Sequence, residues 1–181
     1  MPGRKPRAGF PARLRRDDAG VALVEFAMVL PILLLLFVGM FQLSDAFFAY
    51  MKVTKTARTI ADLTSQYTQV SSSDLTSILA ASQQVLAPYN NANAKMVVSQ
   101  VTIDALGNAT VSWSQGLNAT ANTTGAWFYV PVAYKQNGTT IIVADVTYKY
   151  TPVIVSSLLG SITMKEQITM FPRKSTTITK N

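Results

Sequence analysis

Glu25 is the one ionisable residue between Val21 and Leu43, and it stands five residues after Gly20 in the string Gly20-Val21-Ala22-Leu23-Val24-Glu25-Phe26. A carboxylate in so apolar a setting is costly in lipid, and such intramembrane charges usually have a partner. Its natural chemistry is ion pairing. Glycine, with no Cβ, lets another molecule approach an extended backbone closely. Chemistry performed by the chain itself finds little support. No Cys and no His occurs anywhere, which removes thiol nucleophiles, disulfides, imidazole bases and the commonest transition-metal ligands. Asp and Glu residues are few and scattered, no Gly-rich phosphate loop is present, and the seven tyrosines lack a base or metal cluster. The reading is a chain with no catalytic residue, no cofactor, no metal and no small-molecule substrate, and not an enzyme.

The element that positions Glu25 is an apolar run. From Phe26 to Phe41 the chain reads FAMVLPILLLLFVGMF without one ionisable group, and extension to Val21 and Leu43 gives 23 residues. A membrane-spanning helix needs about 20. Twelve Leu, Ile, Val and Phe lie between Phe26 and Leu43, and at roughly −0.3 to −0.6 kcal/mol each they supply about −4 to −7 kcal/mol toward insertion. Glu25, close to the edge, costs too little to reverse that. A secretory signal would have a shorter core followed by small residues, whereas Asp45, Phe47 and Phe48 follow here. Pro31 removes one backbone donor and crowds the carbonyl of Ala27, which predicts a membrane kink there and no further role.

Arg4, Lys5, Arg7, Arg13, Arg15 and Arg16 all precede the apolar run. Basic residues in that place resist translocation and hold their end in the cytoplasm, with Arg13, Arg15 and Arg16 nearest the span. The formal charge of +7 is thereby largely accounted for: beyond the leader, ten Lys and Arg face seven Asp and Glu with no long basic run. Nucleic-acid binding is a poor explanation of such a distribution.

Set between the RLRRDD cluster and a lone span, Gly20 to Phe26 resembles the cleavage motif of type IV prepilin-like proteins, in which a membrane aspartyl peptidase cuts after the glycine and removes the basic leader. The resemblance implies processing between Gly20 and Val21. The longer string GVALVEFAMVLPILLLLFVGMFQLSDAFFAYMKVTKTARTIADLTSQ resembles the TadE-like and TadG-like pilus assembly proteins of tight-adherence (Flp-type) loci, which share a G-x-A-x-V-E-F-A-x-x-x-P-x-L-L-L-L core. The K-V-T-x-x-A-R-x-x-A-D-L segment looks like that family's membrane-proximal helix, and VADVTYKYTPVI and TMKEQITMFPRKS extend the likeness. Phe26 stands where processed pseudopilins of these systems typically carry tyrosine. The resemblance implies a bacterial inner-membrane protein with a cytoplasmic N-terminus and a periplasmic C-terminal domain. Its implied partners are other pilus machinery subunits, a prepilin peptidase and inner-membrane lipid.

The remaining chain predicts an α+β fold: a basic leader over 1–20, a transmembrane helix over 21–43, a stalk helix over 44–67 and a small domain with an antiparallel sheet over 68–181. Ala46, Tyr50, Val53, Ala57, Ile60, Thr64 and Tyr67 recur at helical spacing, with no Gly or Pro from Phe41 to Tyr67. Such a stripe packs more naturally on its own domain than on another molecule. Ser71 to Asp74 reads as a helix cap before Leu75, Ile78, Leu79, Val85 and Leu86, with Pro88 as the stop. From Met96 the period becomes two. Val97, Val101, Ile103 and Ala105 are expected on one face, with a turn at Gly107-Asn108 and Ala109, Val111 and Trp113 continuing the hairpin. Further strands are expected over Trp127 to Tyr134, around Ile142 to Tyr150, and from Ser161 to Phe171, where Glu166 falls unexplained on the apolar face. Asn108, Asn118, Asn122 and Asn137 head Asn-x-Ser/Thr triplets, read as chance in polar loops of a bacterial chain.

Two functions fit. One is a minor pseudopilin or pilus assembly component acting through protein contacts; the other is a membrane-tethered periplasmic module whose sheet binds an envelope ligand.

Overall fold

The computed structural model describes residues 18–154 and 160–181. The leader's basic residues, Arg13, Arg15 and Arg16 among them, lie outside the described residues. Helix α1, Asp18–Ser65, carries the apolar run and continues past it. The chain divides into two compact units, one ending at Leu43 and one covering Ser44–Asn181.

In the first unit every side chain from Gly20 to Phe37 is exposed, and so are Phe41 and Leu43. A helix that is apolar on nearly all sides, with none of that surface buried within the chain, is suited to an apolar solvent. It is long and apolar enough to cross a membrane. Pro31 lies inside the helix, which continues through it.

The second unit is an α+β domain. Its elements after α1 are β1 (Gln69–Val70), α2 (Ser72–Gln83), β2 (Ala94–Ile103), β3 (Ala109–Leu117), β4 (Thr140–Tyr150), β5 (Ile162–Met170) and β6 (Thr179–Lys180). Four strands form an antiparallel sheet in the order β3-β2-β4-β5, as expected of an α+β chain. Ala49, Val53, Ala57, Ile60 and Ala61 of α1 are buried in a core with Met96, Val98, Ile142, Ala144, Val146 and Tyr148. The stripe thus serves the chain's own core. Tyr50 and Tyr67, expected on that stripe, are exposed. The helix also ends at Ser65 instead of Tyr67, where Ser65 Oγ donates to the Asp62 carbonyl at 2.8 Å and Gln66 N to the Leu63 carbonyl at 3.2 Å.

The cap of α2 is Ser71. Its Oγ accepts from Asp74 N at 3.1 Å, while its own N–H donates to Asp74 Oδ2 at 2.9 Å, a reciprocal capping box. The Ser71 hydroxyl, donating to Asp74 Oδ2 at 2.6 Å, and then the Ser71 N–H hold the Asp74 carboxyl below its usual range.

The β2–β3 hairpin turns where expected. Gly107 adopts φ +85°, a region that disfavours a side chain, and Asp104 Oδ1 accepts from Leu106 N and Asn108 N at 2.8 and 2.7 Å. Its faces differ from the expected pattern. Val101 is opposite Val111, but Gln100 is opposite Trp113, so the register slips by one residue at Ser112. A bulge of this kind reverses the facing of everything beyond it. Val111 joins a second core of Val101, Ile103, Ala109, Val130, Ile141 and Val143, with Phe128 packed against it, while Trp113 turns to the core under α1. The sheet is therefore buried on both sides, and Met96 and Val98, not Val97, face the helix.

Trp127 to Tyr134 is not a full strand. One isolated bridge joins Trp127 to Thr110, after which Pro131, which has no N–H to give a ladder, leads into a 3₁₀ turn at Val132–Tyr134. A pairing not expected from the sequence is β1 with β6, parallel, Gln69 opposite Thr179 and Val70 opposite Lys180. Its approach is fixed by Ile178, fully buried, whose carbonyl accepts from Trp113 Nε1 and whose N–H donates to Gln100 Oε1, both at 2.8 Å.

Candidate functional site

Gly20, Val21, Glu25 and Phe26 occupy the opening turns of α1, which begins at Asp18, and all four are exposed. A Cβ added at Gly20 would meet nothing within 4 Å. The chain's own packing thus does not call for glycine at this place, although glycine costs about 1 kcal/mol against alanine inside a helix. Val21 and Glu25 stand four residues apart, so their side chains project from the same face.

A second constellation lies just past the apolar run. Asp45 accepts from Tyr89 Oη at 2.9 Å through Oδ1, and the Tyr150 hydroxyl donates to its Oδ2. Tyr89 also donates to the Asp45 carbonyl at 3.0 Å, and its ring meets those of Tyr148 and Tyr150 edge-on, with centroids 6.5 and 6.3 Å away. Burial, reinforced by the bond and charge of Asp45, pushes Tyr89 up to about 12 and raises Tyr150 as well. Both phenols stay protonated and act as donors, fixing the start of the domain's helix to the end of β4. Sequence reasoning missed this group: Asp45 was visible as the first carboxylate after the run, but no local pattern ties it to tyrosines 44 and 105 residues away.

Glu166, unexplained by strand alternation, accepts a hydrogen bond from Tyr50 Oη at 2.8 Å. Farther along the same helix Arg173 pairs with Asp62 at 2.5 Å, and Arg173 N donates to the Ser65 carbonyl at 2.9 Å. These contacts join helix to sheet and carry no chemistry beyond that.

The most prominent outward feature of the domain is aromatic. Trp127 is 70% exposed and Val132 87% exposed, and with Tyr129 they line a pocket of about 170 Å³ beside Phe128 and Lys135. The Trp127 and Tyr129 rings lie 6.4 Å apart. Exposed apolar groups gathered in this way are characteristic of contact surfaces. What the molecule presents is thus a lipid-compatible helix headed by an exposed Gly-Glu motif, and a domain with an aromatic patch.

No curated protein and no solved structure matches the chain. A family model does: residues 20–62, from the glycine of the motif through the helix that packs on the sheet, match the TadE-like protein family, the family that the motif and its flanking core resemble.

Proposed function

We propose that the chain is a minor pseudopilin or pilus assembly component of a tight-adherence system. It works through protein contacts at the inner membrane and in the periplasm, and catalyses no reaction. The observation that carries this reading is the TadE-like match over residues 20–62, which opens at Gly20 and includes Glu25. The open space around Gly20 supports a requirement that comes from outside the chain, and a peptidase reading an extended backbone supplies one. Removal of the leader after Gly20 gives a mature chain that begins at Val21 and keeps its span. The basic leader sets the orientation, cytoplasmic before the span and periplasmic after it.

Intact mass of the membrane-extracted protein tests this in cells with and without the prepilin peptidase. A chain starting at Val21 only when the peptidase is present supports the reading, as does loss of pili when the chain is deleted. The alternative, a tethered module that binds an envelope ligand, draws its support from the patch at Trp127, Tyr129 and Val132. An unprocessed chain, dispensable for piliation and saturable by ligand, would select it.

A further inference from the structure

One edge of the four-stranded sheet is closed by the chain itself and the other is open. On β3 the Ala109 carbonyl accepts from Phe128 N at 2.9 Å, Val111 N donates to the Ala126 carbonyl at 3.0 Å, and the Val111 carbonyl accepts from Gly125 N at 2.7 Å. Farther on, Lys180 Nζ donates to the Ser114 carbonyl at 3.2 Å. The opposite edge is β5, nine residues long.

The ladder fixes which backbone groups of β5 point outward. Ile103 N donates to the Thr139 carbonyl at 2.8 Å and the Ile103 carbonyl accepts from Gly138 N at 3.0 Å. Ile103, and with it Val101 and Ser99, therefore turn their backbone groups toward β4, because alternate residues of an antiparallel strand serve opposite neighbours. Ile141 and Val143, opposite Val101 and Ser99, face back to β2, which leaves the alternate residues from Ile142 to Tyr150 to serve β5. Their partners are the alternate residues from Met170 back to Ile162. Thr163, Lys165, Gln167 and Thr169 thus aim their N–H and C=O groups away from the sheet, and among the described residues none of these groups has a backbone partner.

The two sides of this edge differ. On the helix side Met164 is buried, and Tyr50, which reaches Glu166, overlooks the strand from α1. Phe47, one turn earlier on the same flank, is 60% exposed. On the other side Lys149 and Lys165 are exposed, and the carboxylate there, Asp145, is taken up by Gln167. Neither lysine has an ion pair among the described residues. A strand laid along β5 meets aromatic rings on one side and positive charge on the other.

We propose that β5 is the docking edge for an extended segment of another protein, one that alternates apolar residues with acidic ones. Its backbone takes up the outward groups of Thr163, Lys165, Gln167 and Thr169, its apolar side chains lie beside Phe47 and Tyr50, and its carboxylates meet Lys149 and Lys165. A lysine in an edge strand discourages indiscriminate pairing, and the same charge selects a strand that brings acids. A second copy of β5, paired antiparallel about its middle, would set Glu166 or Lys165 against its own counterpart, so the occupant is a different chain. The inference rests on the reading of a chain that works through protein contacts, and not on cleavage after Gly20.

The probe is an acetylated nine-residue peptide alternating Glu and Val, with a peptide alternating Lys and Val as its opposite, each added to the full-length chain in neutral-detergent micelles at low salt. Hydrogen exchange, read by fragmentation mass spectrometry, should slow at the amides of Thr163, Lys165, Gln167 and Thr169 with the acidic peptide and not with the basic one. Fluorescence polarisation should show the acidic peptide binding more tightly by about five-fold or more, and Lys165→Glu should shift the preference toward the basic peptide. Thr163→Pro removes one outward N–H at a place where an edge strand tolerates proline, and should weaken binding about 2- to 10-fold with little change in melting temperature. Slow exchange at those amides without any peptide would overturn the proposal, because the edge would already be covered; slowing that grows with chain concentration would overturn it in favour of a second copy. No saturable binding of the acidic peptide, equal binding of both peptides, or binding that leaves the exchange of Ile162–Met170 unchanged would also overturn it. A chain left uncleaved after Gly20 would count against the pilus reading and leave these results as they stand, so the two can fail separately.

Discussion

Tyr50 on α1 donates its hydroxyl to Glu166 on β5 across 2.8 Å, joining residues 116 positions apart at the outer strand of the sheet. Its bond to Glu166, and then the carboxylate's negative charge, raise the Tyr50 phenol above its ordinary value. Stability from this pair is present below the ordinary tyrosine range and is lost as pH rises through the raised value. Tyr50→Phe should lower the melting temperature slightly. In a Glu166→Gln background the same substitution should cost less, since a neutral acceptor is weaker. Thermal unfolding of the four variants measures the coupling.

Asp45→Ala leaves the Tyr89 and Tyr150 hydroxyls without their common acceptor and should cost about 2 kcal/mol. Tyr89→Phe should cost about 1 kcal/mol. Because both phenols are raised, Tyr89 to about 12, their contribution is intact below the ordinary tyrosine range and falls away as pH climbs through the raised values. Tyrosinate absorbance during alkaline titration should show these phenols ionising late in the wild type and earlier after Asp45→Ala.

Trp113→Phe removes the donor to the Ile178 carbonyl and part of a buried ring. The expected loss is about 1–2 kcal/mol. Released from that bond, the segment around Ile178 should exchange its amide hydrogens faster, a difference readable by mass spectrometry on the folded protein.

Asp145 is raised by burial, against the lowering effect of Gln167 Nε2, which donates to its Oδ1 at 2.7 Å. A carboxylate raised in the folded state binds its proton more tightly there than in the unfolded chain, so its ionisation opposes folding at neutral pH. Asp145→Asn should therefore stabilise at pH 7 by about 0.5 kcal/mol. The gain should shrink as pH falls through the raised value and vanish below the ordinary carboxylate range. Urea midpoints at several pH values would show the trend.

Glu25→Ala should leave the membrane level of the protein unchanged, because removing a carboxylate favours insertion. In a chain cleaved after Gly20, the free Val21 amine and Glu25 would lie about one helical turn apart. Loss of the carboxylate would strand that cation in a setting where an unpaired charge is expensive. Processing should persist while pili are lost; normal piliation would mark Glu25 as a tolerated edge residue.

Much of the fold was legible because it is local. The apolar run, the Ser71 cap, the Gly107 turn and the alternation from Ile142 to Tyr150 each state their structure within a few residues. What escaped depends on distant partners. Nothing near Ser112 announces the bulge that turns Trp113 to the helix side, because the slip is set by pairing with Gln100. Strands buried on both faces do not show by alternation which face meets the helix, so the helix-facing set of Met96 and Val98 went unread. Glu166 was located correctly, but its acceptor role needed Tyr50, which the stripe had assigned to the core. The TadE-like likeness from Gly20 onward was readable because it lies in one continuous stretch of chain.

The parallel pairing of Gln69–Val70 with Thr179–Lys180 bears on the order of events during synthesis. A ribosome delivers the apolar helix long before it delivers β4, so the membrane can receive the span while Ala49, Val53 and Ala57 still lack the strands that cover them. The sheet closes only when β5 has appeared, and the β1–β6 pair, with Ile178 beneath Trp113, must come last. Any chain that stops before Ile178 would carry its apolar helix complete but its domain unlatched, open to whatever protease or chaperone meets it.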